Sequence, residues 1–146
     1  LEMQPSPVSR AERSAQVDSL LGELNLQHLA KNLASTLSGG ERRRLEITRA
    51  LVHSPQFLLL DEPFSGVDPI VVMEMQQILF QLKEKGIGIF ISDHNIHETL
   101  RVCDRAYIIH QGEILISGTP SELAENRLAR ELYLGDRFRL TEKITV

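Results

Sequence analysis

Two short stretches of this sequence gather residue types that phosphoryl chemistry uses. The first is Leu37-Ser38-Gly39-Gly40-Glu41, where a hydroxyl and two glycines open a predicted helix. Ser38 and Glu41 have the spacing of a capping box. That leaves the glycines unexplained, because each weakens a helix by about 1 kcal/mol relative to alanine. Bare backbone amides at a helix N-terminus form an anion site, and glycines let a phosphate come close. The second stretch is Phe57-Leu58-Leu59-Leu60-Asp61-Glu62-Pro63, an apolar strand that runs directly into adjacent carboxylates. Adjacent acids at a strand end also make an ordinary solvated turn. An acid emerging from a buried strand, however, suits a metal or a base. Phosphoryl transfer needs a cation to neutralise phosphate charge and a group to orient or deprotonate water.

The remaining candidates are single residues. Asp68 precedes Pro69 and reads as an N-cap followed by proline at the first helical position. His94 stands out from His28, His53 and His110 because it follows a second predicted strand. An imidazole there would stabilise charge developing on a phosphate. His97 falls on the exposed side of the next helix and is given no role. Arg42, Arg43 and Arg44 read as a solvated basic face. Cys103 reads as a small buried hydrophobe in a helical pattern. No histidine or cysteine grouping has zinc-ligand spacing.

The elements that position these groups follow from periodicity and caps. Ser9 and Glu12 make a capping box, and Val17, Leu20, Leu21 and Leu24 share one helical face. A second helix runs from Ser38 to about Val52, and Phe57 to Asp61 is a buried strand. A long helix begins at Pro69, with Val71, Met75, Ile78, Leu79 and Leu82 as its apolar face, and Gly86 stops it. Ile87 to Ser92 is the next strand, and Asn95 to Val102 a helix. Ala106 to His110 and Glu113 to Ser117 form a strand pair around Gln111-Gly112. Thr119-Pro120-Ser121-Glu122 caps another helix, and a last helical segment ends near Leu134-Gly135.

One deduction needs only topology. Strand, helix and strand across residues 57–92 form a crossover unit, and such units are nearly always parallel and right-handed. Both strands then end at the same sheet edge, where open α/β sheets bind ligands. Asp61 and Glu62 leave the first strand there; Ser92, Asp93 and His94 leave the second. The carboxylates and His94 are therefore expected to converge.

Composition narrows the class. The 146 residues carry 16 basic and 20 acidic side chains, net -4, so no nucleic-acid partner is expected. Apolar content of 42% is ordinary for a globular domain. A single cysteine excludes an internal disulfide and fits a reducing compartment. No signal peptide and no apolar run of bilayer-spanning length occur, so no direct membrane insertion is expected.

Together these motifs resemble an ATP-binding-cassette (ABC) ATPase, in family order: signature motif at Ser38-Gly39-Gly40-Glu41, Walker B at Asp61-Glu62, D-loop at Ser65-Gly66-Val67-Asp68, and switch histidine at His94. The resemblance covers nearly the whole chain. It implies an α/β fold, part of a P-loop NTPase, with a helical signature subdomain and a parallel-sheet core piece. Residues 1–53 would belong to the helical subdomain, 54–140 to the C-terminal part of the core, and 141–146 to a tail. By the same resemblance Asp61 holds Mg²⁺, Glu62 is the general base, and His94 contacts the γ-phosphate of ATP. Ser38, Gly39, Gly40 and Glu41 would contact ATP held by a second copy of the subunit, with Asp68 at that homodimer interface. The family usually has Gln where this chain has Glu41. The phosphate-cradling G-x-x-x-x-G-K-[ST] loop does not occur in these residues. The sequence starts in mid-pattern at Leu1 and is read as a truncated chain, inactive by itself; the cradle lysine, a base-stacking aromatic and a Q-loop glutamine are expected upstream.

No coiled-coil insertion fits between Ser38 and Asp61, which points to a transporter subunit. Leu1-Glu2-Met3-Gln4-Pro5, Glu41-Arg42-Arg43-Arg44, Asp61-Glu62-Pro63-Phe64, Gly66-Val67-Asp68-Pro69, Asp93-His94-Asn95 and the stretch from Tyr133 to Leu140 resemble the ATP-binding subunits of lipopolysaccharide-export transporters. That likeness implies a peripheral ATPase on the cytoplasmic face of a bacterial inner membrane, working with transmembrane permease subunits. Two alternatives stay open at this level. One is the ATPase subunit of a branched-chain amino acid importer. The other is a non-catalytic interaction module that only donates a signature motif.

Overall fold

A computed structural model describes residues 9–135 and 138. The Leu1–Pro5 stretch, Asp136, Arg137, Arg139 and Leu140, and the tail 141–146 lie outside the described residues. The chain packs as two units, Leu1–Leu58 and Leu59–Val146.

In the first unit, helix α1 spans Arg10–Glu23 and α2 spans Gly39–Leu51. Ser9 closes the expected capping box on α1: its hydroxyl accepts from the Glu12 amide, and its own amide donates to Glu12. The two helices pack together. Leu21, Leu24, Leu26, Leu37, Ile47 and Leu51 are buried. Val17, expected on the apolar face of α1, is exposed. It lies a full turn before Leu21, and burial on this helix is confined to its C-terminal end.

Strand β1 spans Phe57–Asp61, helix α3 Pro69–Glu84, and strand β2 Gly88–Ser92. The strands are hydrogen-bonded neighbours in a parallel sheet, and α3 is the crossover between them. The β1 side chains are not uniformly buried. Leu58 is buried and Leu60 half-buried, whereas Phe57 and Leu59 are 70% and 74% exposed. The pleat sends alternate side chains to opposite faces, and among the described residues only one face of the pair is covered. Phe90 on β2 is likewise exposed.

On α3 the buried row is Val72, Met75, Gln76, Ile78, Leu79 and Leu82. Val72 takes the place expected for Val71, and the polar Gln76 joins the row. Gly86 ends the helix with a φ of 83°, a conformation that glycine adopts without strain.

Helix α4 spans Ile96–Val102, followed by β3 (Ala106–His110) and β4 (Glu113–Gly118), an antiparallel pair. Its turn has φ of 50° at Gln111 and 85° at Gly112, matching the right-handed strand twist. A bulge interrupts the register between Ile108 and Ile109. Helix α5 (Pro120–Glu125) carries the Thr119–Glu122 capping box, and α6 (Arg127–Ala129) continues into a wider turn, Arg130–Leu134. Leu100, Ile108, Leu123, Ala129, Leu134 and Phe138 form the apolar cluster that joins these elements. Cys103 caps α4 at its C-terminus and packs half-buried against that cluster. His97 is exposed, its ring tilted against Phe138 at 4.6 Å between centroids.

Candidate active site

The crossover brings the second unit's candidate residues to one sheet edge, as the topology predicts. The Ser92 hydroxyl donates to Asp61 Oδ1 at 2.5 Å, joining the ends of β1 and β2. The Glu62 amide donates to the Ser92 carbonyl at 2.7 Å, extending the ladder one step past the strand. His94 Nδ1 lies 3.5 Å from Glu62 Oε1. Both side chains are largely exposed, 70% for His94 and 55% for Glu62, so solvent reaches the pair.

Glu62 has a φ of 46°. This left-handed conformation costs a residue with a Cβ about 1–2 kcal/mol. Such strain persists only where surrounding bonds hold it, and it concentrates at functional sites. Here the Ser65 amide donates to the Glu62 carbonyl at 3.2 Å, closing a tight turn. Pro63 and Phe64 are buried behind it. The result turns the Glu62 carboxylate out of the strand direction and toward His94.

Asp61 is exposed and its Oδ1 accepts from Ser92. Among the described residues no group of three or more His, Cys, Asp or Glu side chains is arranged to hold a metal ion. A lone hard carboxylate still fits Mg²⁺, which takes one or two carboxylates and completes its shell with water and phosphate oxygens. Asp68 occupies the N-cap position of α3 without a side-chain cap bond, ahead of Pro69 at the first turn. Its carboxylate is exposed.

In the first unit, Ser38 caps α2. Its amide and its hydroxyl each donate to Glu41 Oε2 at 2.8 Å, and its hydroxyl accepts from the Glu41 amide at 3.3 Å. Those bonds hold the Glu41 carboxyl below the ordinary glutamate range; the Ser38 amide is the larger cause and its hydroxyl the second. A Cβ added at Gly39 would meet nothing within 4 Å. Packing within the chain therefore does not demand a glycine at that position, and the space in front of it is open. Gly40 is buried. Of the arginines that follow, Arg43 pairs with Glu46 at 3.1 Å, and Arg42 donates to the Leu37 carbonyl at 3.4 Å.

Three features were not read from the sequence: the left-handed Glu62, the Ser92–Asp61 bond, and the role of Asp93. Asp93 accepts from the Asn95 amide at 2.7 Å and from the Phe64 amide at 2.9 Å. The first bond had a signal, since Asp two residues before an amide makes a local turn. The second spans distant positions and had none.

The chain's likeness to known proteins runs the same way. A family profile described as ABC transporter matches residues 2–65. The lipopolysaccharide export system ATP-binding protein LptB of Acidithiobacillus ferridurans is 50% identical over 134 residues, covering 92% of this chain and 56% of that protein. Its counterpart in Escherichia coli K12 is 47% identical over 133 residues, covering 91% and 55%. An uncharacterized ABC transporter ATP-binding protein of Rhizobium meliloti is 52% identical over 140 residues, covering 96% and 51%. The chain thus spans about half the length of the curated relatives it matches. Among solved structures, the ADP conformation of MJ1267, an ATP-binding cassette of an ABC transporter, superposes with a TM-score of 0.79 at 28% identity, covering 91% of this chain and 54% of that one. Motif order, sheet-edge geometry, sequence identity and fold all run toward one likeness: the chain is similar to the ATP-binding-cassette ATPases of ABC transporters.

Proposed function

We propose that this chain carries the catalytic and partner-facing motifs of the ATP-hydrolysing subunit of a lipopolysaccharide-export ABC transporter. The observation that carries the reading is the Glu62–His94 approach of 3.5 Å beside Asp61, at the edge of a parallel sheet. The identity with LptB proteins supports the cargo class. It favours export over the amino acid importer. A general base poised beside a histidine disfavours the non-catalytic module.

Glu62 is the general base that orients and deprotonates the attacking water. Such a group contributes roughly 10²–10⁴-fold to rate. His94 donates to charge developing on the transferred phosphoryl group. Asp61, kept in place by Ser92, is the carboxylate that would hold Mg²⁺, and the ion when bound neutralises phosphate charge. Ser38, Gly39, Gly40 and Glu41 offer the N-terminus of α2 to ATP bound by a second copy, with Asp68 at the shared interface. Residues 1–53 act as the helical subdomain's share and 54–140 as the core's share. Among the described residues no helix is long and apolar enough to cross a membrane. Permease subunits supply that span, and the ATPase works against the cytoplasmic face of the inner membrane.

The test is Glu62→Gln in the complete protein. It keeps shape and hydrogen-bonding reach but removes basicity. Turnover should fall by about 100-fold or more with Mg-ATP binding retained. Unchanged turnover rules out the catalytic assignment.

A further inference from the structure

We propose that Asp93 is a positioning residue for the Glu62–His94 pair, its buried carboxylate bracketing the two turns on which those side chains ride. The inference rests on the reading that Glu62 and His94 act on bound nucleotide. The Asp93 side chain is 0% exposed, while its neighbour His94 is 70% exposed. A buried carboxylate is costly unless its oxygens are hydrogen-bonded. Asp93 satisfies both with main-chain donors. Oδ2 accepts from the Phe64 amide at 2.9 Å, and Oδ1 accepts from the Asn95 amide at 2.7 Å.

The location of those donors gives the bracket its meaning. Phe64 lies within the turn that runs from Glu62 to Ser65, and Asn95 directly follows His94. One side chain thus ties the loop after β1 to the loop after β2. The Glu62 amide is meanwhile held by the carbonyl of Ser92, the residue before Asp93. The strained φ of 46° at Glu62 needs such restraint, because a free loop would relax it. Asp93 Oδ1 also lies 3.8 Å from His94 Nδ1, so the bracket sits behind the imidazole and leaves its exposed side clear. Of the side chains this short, only a carboxylate offers two acceptors and no donor. Asparagine would accept one amide and face the other with its own N–H.

The test uses the complete protein, with kcat and KM for Mg-ATP, calorimetric Mg-ATP affinity and Tm measured for Asp93→Asn, Asp93→Ala and Glu62→Gln. Both Asp93 variants should lower kcat by about tenfold or more, because sub-ångström misplacement of a catalytic group is costly. KM and the calorimetric affinity should move by less than about twofold, since the Asp93 oxygens are taken up by main-chain amides. Turnover within about twofold of the parent in a folded Asp93 variant, beside a dead Glu62→Gln, overturns the bracket alone. Unaltered turnover in Glu62→Gln overturns the catalytic reading and the bracket with it. Failure of both Asp93 variants to fold also overturns it, because the side chain would then hold the domain and not the pair.

Discussion

Gln76 is a polar residue in the buried row of α3, and its replacement tests how that helix holds the site. The side chain is 0% exposed. Its amide donates to the Glu98 carboxylate at 2.7 Å and to the Glu98 carbonyl at 3.2 Å. These bonds tie α3 to the first turn of α4 at Glu98, three residues past the Asn95 cap that follows His94. A hydrogen bond to a charged group contributes about 1.5–3 kcal/mol and a neutral one about 1 kcal/mol. Against them stands Gln76 Oε1, buried with no partner among the described residues, at a cost of about 1–3 kcal/mol. Gln76→Leu removes all three at similar volume, so its net loss should be only about 1 kcal/mol. Gln76→Glu keeps the shape but sets a carboxylate against that of Glu98. Arg101 stands 3.5 Å from Glu98, too far to serve both acids well. The loss near pH 7 should exceed about 3 kcal/mol, and lowering the pH should restore part of it, because one acid must hold a proton. Urea unfolding of the complete protein at two pH values, read as midpoints at constant m, makes the comparison. A Gln76→Glu protein as stable as the parent near pH 7, or a Gln76→Leu protein that loses more than about 3 kcal/mol, would refute this accounting.

Other consequences are smaller and independent. The lowered pKa of Glu41 means that its share of stability is present above the unfolded glutamate value and is lost as pH falls through the lower folded value. Thermal melting of Glu41→Gln, which can still accept from the Ser38 amide, should therefore converge on the parent in acid and fall below it near neutrality. In the β3–β4 turn, Gly112→Ala forces a Cβ into a φ of 85° and should cost about 1–2 kcal/mol. Gln111→Asn, at a φ of 50°, should raise Tm slightly, since asparagine tolerates that region better.

Local chemistry wrote much of this fold openly. The capping boxes at Ser9, Ser38 and Thr119 are closed as their spacing predicts. Pro69, Gly86 and the Gln111-Gly112 pair punctuate the chain where they should. Burial was read less well. A run of four apolar residues in β1 looks the same whether one face or both are covered, and here Phe57 and Leu59 face outward. The α3 row slipped by one at Val72 and took in Gln76, because its partner Glu98 belongs to another helix. Helical periodicity has no knowledge of such a partner.

The site divides along the same physical line. That Asp61, Glu62 and His94 would lie at one sheet edge followed from the parallel direction of the crossover alone, a rule that holds for nearly any such unit. How closely they meet did not follow from it. That distance depends on a left-handed Glu62, on the Ser92 carbonyl and hydroxyl, and on an aspartate whose oxygens reach amides in two separate loops. The Ser92 bonds to Asp61 and Glu62 and the Asp93 bond to Phe64 join positions about 30 residues apart, formed only once α3 has crossed the sheet. Sequence motifs therefore name the candidate groups, while the hydrogen bonds that position them come from Ser92 and Asp93 beside them. On the proposed reading, substitutions at Asp93 and Ser92 should impair turnover of the complete protein while leaving Asp61, Glu62 and His94 in place.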